Sequence, residues 1–324
     1  MDLYPGDPGD PGLDCAGTVV EVGSSVTDLK PGDDVFGIAL GCLQTYATTD
    51  RRLLARQENG WAFTAAAALP TVYTTVDYAF SELAKLKKGE RVLIHAATGG
   101  VGLVAVQYAQ RLGAKVFATA GKEEKHAHLR GLGVKYMASS RDGAAFEQEM
   151  KKFLKEDKAD GFDVVLNSLS HDDYIPRSLA MLREGGRFCE IGKRGVWTNE
   201  EMQQARPDVR YHLIAIDHMM EEDPDHYQVL LARLQDKMAK KQWDPLPMVT
   251  FTGFAEGVEA FRCLQRAAHI GKVVLEVPSR MNLDPTGTYV LSGGMGALGL
   301  TTAKALVEEG AKNVRWMCRR QPDF

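Results

Sequence analysis

From Arg91 onward the chain alternates between short apolar runs and longer mixed stretches. Val92-Leu93-Ile94 is a continuous apolar run placed just after the turn residues Lys88-Gly89, the pattern of a buried strand. The same reading predicts strands at Arg91–His95, Lys115–Ala120, Tyr136–Ala138, Asp163–Asn167 and Gly186–Ile191. Helices are predicted between them at 101–112, 122–132, 144–155 and 172–183. A sixth strand is predicted at Tyr211–Asp217, then helices over Pro224–Lys240 and Phe254–Ala267, and a closing strand at Lys272–Val277. Alternation of this kind implies an α/β fold, a doubly wound parallel Rossmann sheet with right-handed crossovers.

The front of the chain has a different pattern. Residues 1–12 are too rich in Pro and Gly for a regular element. Strands are predicted at Leu13–Val22, Asp34–Ile38, Cys42–Thr48 and Arg52–Ala55, then helices at Phe63–Ala68 and Tyr73–Ala84 on either side of Pro70. This is a small, mostly β module ahead of the alternating region. The expected division is a first domain from 1–75 and 246–277, a nucleotide domain from 76–245, a linker at 278–286 and a further piece at 287–324. That last piece reads as a strand at Gly287–Leu291, a helix to Glu309 and a strand at Asn313–Met317, one βαβ unit cut from a longer polypeptide.

Composition narrows the classes. Apolar residues make up 44% and charged residues 25% of the 324, ordinary for a soluble globular protein. A net charge of −4 without a basic tract argues against a nucleic-acid partner, and no apolar run is long enough to span a membrane. No signal peptide is expected, since Met1-Asp2 opens neither a basic nor an apolar region. The five cysteines are scattered and form no C-x-x-C, so neither a disulfide framework nor a metal site is expected. A reducing, cytoplasmic setting fits, with organellar targeting left open.

The candidate chemistry begins at Ala97-x-Gly99-x-x-Gly102, a dinucleotide fingerprint with Ala in place of the first Gly. Strand, turn and helix follow in the required order. Thr98, Gly99, Gly100, Val101 and Gly102 would let the backbone approach a pyrophosphate and aim the helix N-terminus at it. Folds that prefer NAD place an acid about 20 residues further on, against the ribose 2′-OH. Here Gly121, Lys122 and Lys125 occupy that stretch, and a cation favours a 2′-phosphate, hence NADPH; a solvated helix start beside Glu123 and Glu124 is the alternative. A second fingerprint, Gly294-x-Gly296-x-x-Gly299, lies in the last piece.

LIHAATGGVGLVAVQ, DVVLNSLS, GGRFCEIGK and HIGKVVLEVP, in that order, resemble the medium-chain reductase family. The nearest likeness is the enoyl reductase domain of type I polyketide synthases and animal-type fatty acid synthases. TGTYVLSGGMGALGLTTAKAL resembles the start of a ketoreductase domain, which follows the enoyl reductase in such synthases. The likeness makes the first module a GroES-like substrate domain, N-terminally incomplete because YPGDPGDPGLDCAGTVVEVG resembles its middle. LDCAG has no neighbouring His-Glu pair, which matches the zinc-free branch of the family.

The resemblance implies hydride delivery from NADPH to the β-carbon of a trans-2-enoyl thioester on acyl carrier protein, then protonation at the α-carbon. Lys193 matches the family's proposed acid, Asp217 its acidic residue after the next strand, and Tyr4 a tyrosine tied to α-methyl stereochemistry. A loop lysine, a turn cap and simple packing are the respective alternatives. Further cofactor contacts implied by the family are Asn167, Ser168, Leu169, Gly192, Gly271, Lys272 and Val273, with Arg141 at the 2′-phosphate or paired with Asp142. The implied partners are acyl carrier protein with its phosphopantetheine-bound enoyl chain and the neighbouring ketoreductase; separately, oligomeric state is left open, with a homodimer through edge strands of the nucleotide domain as one expectation. The competing functions are a free-standing quinone or enone reductase and a non-catalytic remnant.

Overall fold

A computed structural model describes residues 9–57, 60–277, 283–284, 286–294 and 296–317. The chain forms two compact units, residues 1–276 and 277–324.

The first unit is built on a six-stranded, wholly parallel sheet. Its strands are β4 (Arg91–Ile94), β5 (Lys115–Ala120), β6 (Tyr136–Ser139), β7 (Phe162–Asn167), β8 (Leu182–Glu190) and β9 (Arg210–Leu213), in the order β6-β5-β4-β7-β8-β9. The order reverses between β4 and β7, the neighbours at the centre, so a crevice opens beyond their carboxyl ends. The continuous apolar run of β4 has a direct cause: Val92 and Ile94 belong to one core cluster and Leu93 to the other. A central strand covered on both faces has no polar side to show.

Helices α3 (Gly100–Leu112), α4 (Glu123–Gly131), α5 (Gly143–Glu156) and α6 (Tyr174–Ala180) make the crossovers. Asp142 caps α5 by accepting from the amides of Ala144 and Ala145. The stretch predicted as strand Tyr211–Asp217 divides: β9 ends at Leu213, and Asp217 is the second residue of α8 (Ile216–Glu222). Between β8 and β9 a short helix, α7 (Asn199–Ala205), opens on a capping box of Thr198 and Glu201, and α9 (Pro224–Ala239) follows α8.

The front of the unit is an antiparallel sheet of β1 (Asp14–Thr18), β2 (Asp34–Ile38) and β3 (Leu54–Arg56). The predicted strand at Cys42–Thr48 is absent: those residues form turns and bends, and Leu43 and Gly41 hydrogen-bond back to Pro11 and Gly12. Helices α1 (Phe63–Ala67) and α2 (Pro70–Asp77) come next; Pro70 begins α2, where a missing N–H costs nothing. The helix then runs on as a π-helix over Tyr78–Leu83. A parallel pair, β10 (Met248–Thr252) and β11 (Lys272–Glu276), flanks α10 (Gly257–Arg266).

The second unit consists of β12 (Thr288–Ser292), α11 (Ala297–Glu308) and β13 (Asn313–Met317), with the two strands parallel. A Cβ on Gly299 would lie 2.4 Å from the Gly294 Cα, the close helix–strand approach for which a fingerprint uses glycine.

Candidate functional site

The turn after β4 is compact. Ala96 takes a left-handed conformation (φ 47°), held by a bond from its amide to Thr119 Oγ1 at 3.1 Å. Gly99 is the N-cap of α3, and its carbonyl accepts from Leu103, which leaves the amides of Gly100, Val101 and Gly102 without partners inside the helix. A Cβ on Gly102 would lie 2.5 Å from the Ala97 Cα, so only glycine lets α3 start this close to its strand. Thr98 is buried, and its carbonyl accepts from the amide of Gly271 at 2.8 Å. Gly271 itself is left-handed (φ 80°), and a Cβ there would lie 1.8 Å from the Pro247 carbonyl oxygen.

Lys272 lies across this turn. Its stem would be 2.9 Å from a Cβ on Gly100, and its Nζ pairs with Asp14 Oδ2 at 2.7 Å. Asp14 Oδ1 accepts from the amide of Thr71 at 2.8 Å. The Lys272 amine is therefore engaged with β1, and Val273 continues β11 opposite Val249. Asp14 was not expected from sequence.

Beyond β5, Arg141 packs against Gly121, and Lys125 stands near both Arg141 and Lys122. Lys122 is the N-cap of α4, Arg141 Nε would be 2.7 Å from a Cβ on Gly121, and Lys125 Nζ donates to the Ala267 carbonyl at 2.9 Å. Burial, with repulsion from Arg141 and Lys122, lowers the Lys125 ammonium below the usual lysine range. Glu123 is turned away to Arg130, and Asp142 is spent on its cap. A cluster of mutually repelling cations is suited to a multiply charged anion.

The third part lies where β7 and β8 end. Lys193 Nζ meets Asp217 at 2.6 and 2.8 Å, a bidentate pair whose side chains are 27% and 32% exposed. Burial pushes the Asp217 carboxyl up, but the Lys193 ammonium outweighs it and holds Asp217 below the usual carboxylate range. Ser168 Oγ donates to the His95 carbonyl at 3.4 Å, which ties the β7 loop to the end of β4. Asn167 is fully buried and turned to Glu190, its Nδ2 2.6 Å from Glu190 Oε2, so only the loop after it, Ser168 and Leu169, opens towards the crevice. Glu190 and Ser170 were not singled out in the sequence, although a lone acid in the apolar run RFCEIG was a visible signal. Tyr4 lies outside the described residues. Among the described residues no group of three or more His, Cys, Asp or Glu is placed to hold a metal ion.

Solved structures share this fold and much of this sequence. The crystal structure of CurK enoyl reductase is 38% identical, with a TM-score of 0.77 covering 83% of this chain and 80% of that one. The chain belongs to the polyketide synthase enoyl reductases. JamJ enoyl reductase in its apo form is 34% identical, with a TM-score of 0.75 over 82% of this chain and 79% of its own. Residues 3–71 match the alcohol dehydrogenase GroES-like domain, 100–235 the zinc-binding dehydrogenase family and 287–323 the KR domain. The enoyl reductase resemblance, with a ketoreductase start behind it, is thus borne out. Among curated relatives, the spectinabilin polyketide synthase system protein NorB of Streptomyces orinoci is 41% identical over 96% of this chain. The pikromycin polyketide synthase component PikAII of Streptomyces venezuelae is 38% identical over 100% of it. The chain spans only 14% and 8% of the lengths of these two multidomain proteins. As an enoyl reductase of this group the protein is an oxidoreductase of the medium-chain type.

Proposed function

We propose that the chain reduces the double bond of a trans-2-enoyl thioester carried on acyl carrier protein to the saturated thioester, with NADPH as reductant. The observation that carries this reading is the bidentate Lys193–Asp217 pair, at the sheet end where an open α/β fold binds ligands, in a polyketide synthase enoyl reductase.

Each part of the site has a share. The free amides at the start of α3 hold the pyrophosphate, since they combine donors with the positive end of the helix dipole. Gly99 leaves that surface open, while Gly100 and Gly102 let the Lys272 stem and the strand end pack close to the turn. Lys122, Lys125 and Arg141 hold the 2′-phosphate, and that anion relieves their mutual repulsion. Ser168, Leu169, Gly192 and the Gly271–Val273 segment line the nicotinamide side. The bound cofactor supplies a hydride to the substrate β-carbon.

The electron pair of the double bond then rests on the α-carbon and the thioester oxygen. Lys193 faces that charge and gives a proton to the α-carbon, and Asp217 keeps the amine charged and in place. Tyr4 biases the face of protonation, a role that rests on the resemblance alone. In this reading residues 1–75 and 246–277 form the substrate domain, 76–245 the cofactor domain and 278–286 the linker to the ketoreductase. The enzyme works in the cytoplasm beside that ketoreductase, as a homodimer.

The test is a comparison of substrates. With NADPH, crotonyl thioester on acyl carrier protein should be turned over with kcat/KM at least about a hundredfold above a simple benzoquinone. A preference for the quinone would make the protein a quinone reductase. Failure to bind NADPH, followed by its fluorescence, would make it a remnant.

A further inference from the structure

We propose that Glu190 is a positioning residue that sets Lys193 of the Lys193–Asp217 pair. Glu190 ends β8, and its side chain is fully buried among main-chain and polar groups. Oε2 accepts from Asn167 Nδ2 at 2.6 Å, and Oε1 accepts from the amide of Gly192 at 2.6 Å and from Ser170 Oγ at 3.4 Å. Its carbonyl accepts from the amide of Ile214 at 2.9 Å.

These bonds lead to the two ends of the pair. The carboxylate grips Gly192, the residue before Lys193, and so fixes where the lysine stem begins. The main-chain bond from Ile214, three residues before Asp217, continues the β8–β9 pairing and sets the entry into α8 whatever side chain stands at 190. Through Asn167 and Ser170 the same carboxylate also holds the β7 loop. Gly192 wraps closely around the group: a Cβ there would lie 2.0 Å from Ser170 Oγ and 2.7 Å from Glu190 Oε1. A buried acid costs several kcal/mol of desolvation, and the donors around it offset that cost. Burial does raise the Glu190 carboxyl above the usual carboxylate range, against the bonds from Asn167, Gly192 and Ser170.

The placement of Lys193 is a claim about geometry. Its effect on turnover rests on the proposed role of Lys193 as proton donor. Two readouts on the full chain keep the claims apart. The first is the rate at which an amine-acylating reagent modifies Lys193, resolved by peptide mass spectrometry. Asp217→Asn removes the carboxylate that engages the amine and should raise the rate several-fold. Glu190→Gln keeps the shape but exchanges an acceptor for a donor; it should raise the rate by more than twofold. A Glu190→Gln rate within twofold of wild type, with Asp217→Asn raised, overturns the proposal. So does a failure of either variant to move it.

Should Glu190→Gln not fold, Gly192→Ala displaces the same amide with the acid intact, and the same several-fold rise is required. The second readout is turnover. Glu190→Gln should lower kcat about tenfold with the NADPH KM unchanged, and should add nothing in a Lys193→Ala background, as expected for residues that act as a unit. An additive loss overturns the positioning role. If Lys193→Ala alone leaves kcat intact, the proton-donor reading fails while the labelling result still stands.

Discussion

Lys122 occupies the position where a fold selective for NAD places a ribose-binding acid, and the structure brings Lys125 and Arg141 near it. Charge-assisted hydrogen bonds contribute roughly 1.5–3 kcal/mol each. The double variant Lys122→Glu/Lys125→Ala should therefore weaken NADPH by about a hundredfold or more and NADH by less than about threefold, measured as Kd by cofactor fluorescence. An unchanged preference would remove the 2′-phosphate assignment. These lysines were legible in the sequence because their spacing from a fingerprint carries meaning. Lys193 and Asp217 were legible only through the family's motifs, yet they pair as that likeness implied. Glu190 and Asp14 were not legible, because their partners, Asn167 and Lys272, lie 23 and 258 positions away and no local pattern links them.

At the level of elements, strands buried on both faces were the easiest to read, since their apolar runs leave no alternative. Two elements escaped, two were run together, and one strand was expected where none forms. β10, in a half-buried MVTFT between Pro247 and Gly253, lacks a continuous apolar run. α7 is short and polar and shows only in the Thr198–Glu201 box, while the apolar HLIAI ran β9 and the start of α8 together. The segment 42–48 reads as a strand but is taken up by bonds to 11–12. One strand end carries a consequence for pH. His95, just beyond β4, is buried with its ring nitrogens on Thr119 Oγ1 at 3.1 Å and Ser178 Oγ at 2.8 Å. Burial lowers its imidazole to about 3. The folded value lies below the unfolded value of about 6.5, so the native state resists a proton that the unfolded chain accepts. Stability should fall as pH drops from about 6.5 towards 3, by about 2 kcal/mol between 6.5 and 5. Denaturant titrations of wild type and His95→Gln at these two pH values check this. The variant should lose that part of the slope, and an equal slope would contradict the assignment.

Within residues 1–276, one arrangement brings the parts of the site together. The strand order reverses between β4 and β7, so the fingerprint turn and the β7 and β8 loops open on the same crevice. Lys272 joins the antiparallel sheet to the fingerprint turn through Asp14, and Gly271 bridges to Gly99 in the same place. The antiparallel sheet and the fingerprint turn are thus held by a few contacts with little room for change: a Cβ on Gly271 or Gly102 would meet backbone at 1.8 and 2.5 Å. The central claim is that this crevice passes hydride to an enoyl thioester. It is tested most directly by a single turnover of crotonyl thioester on acyl carrier protein, with NADPH deuterated at the transferred C4 position, in ordinary water, and mass analysis of the released butyryl group. The expected product carries one deuterium at C3 and a solvent-derived hydrogen at C2. Consumption of NADPH without deuterium at C3 would contradict the reading.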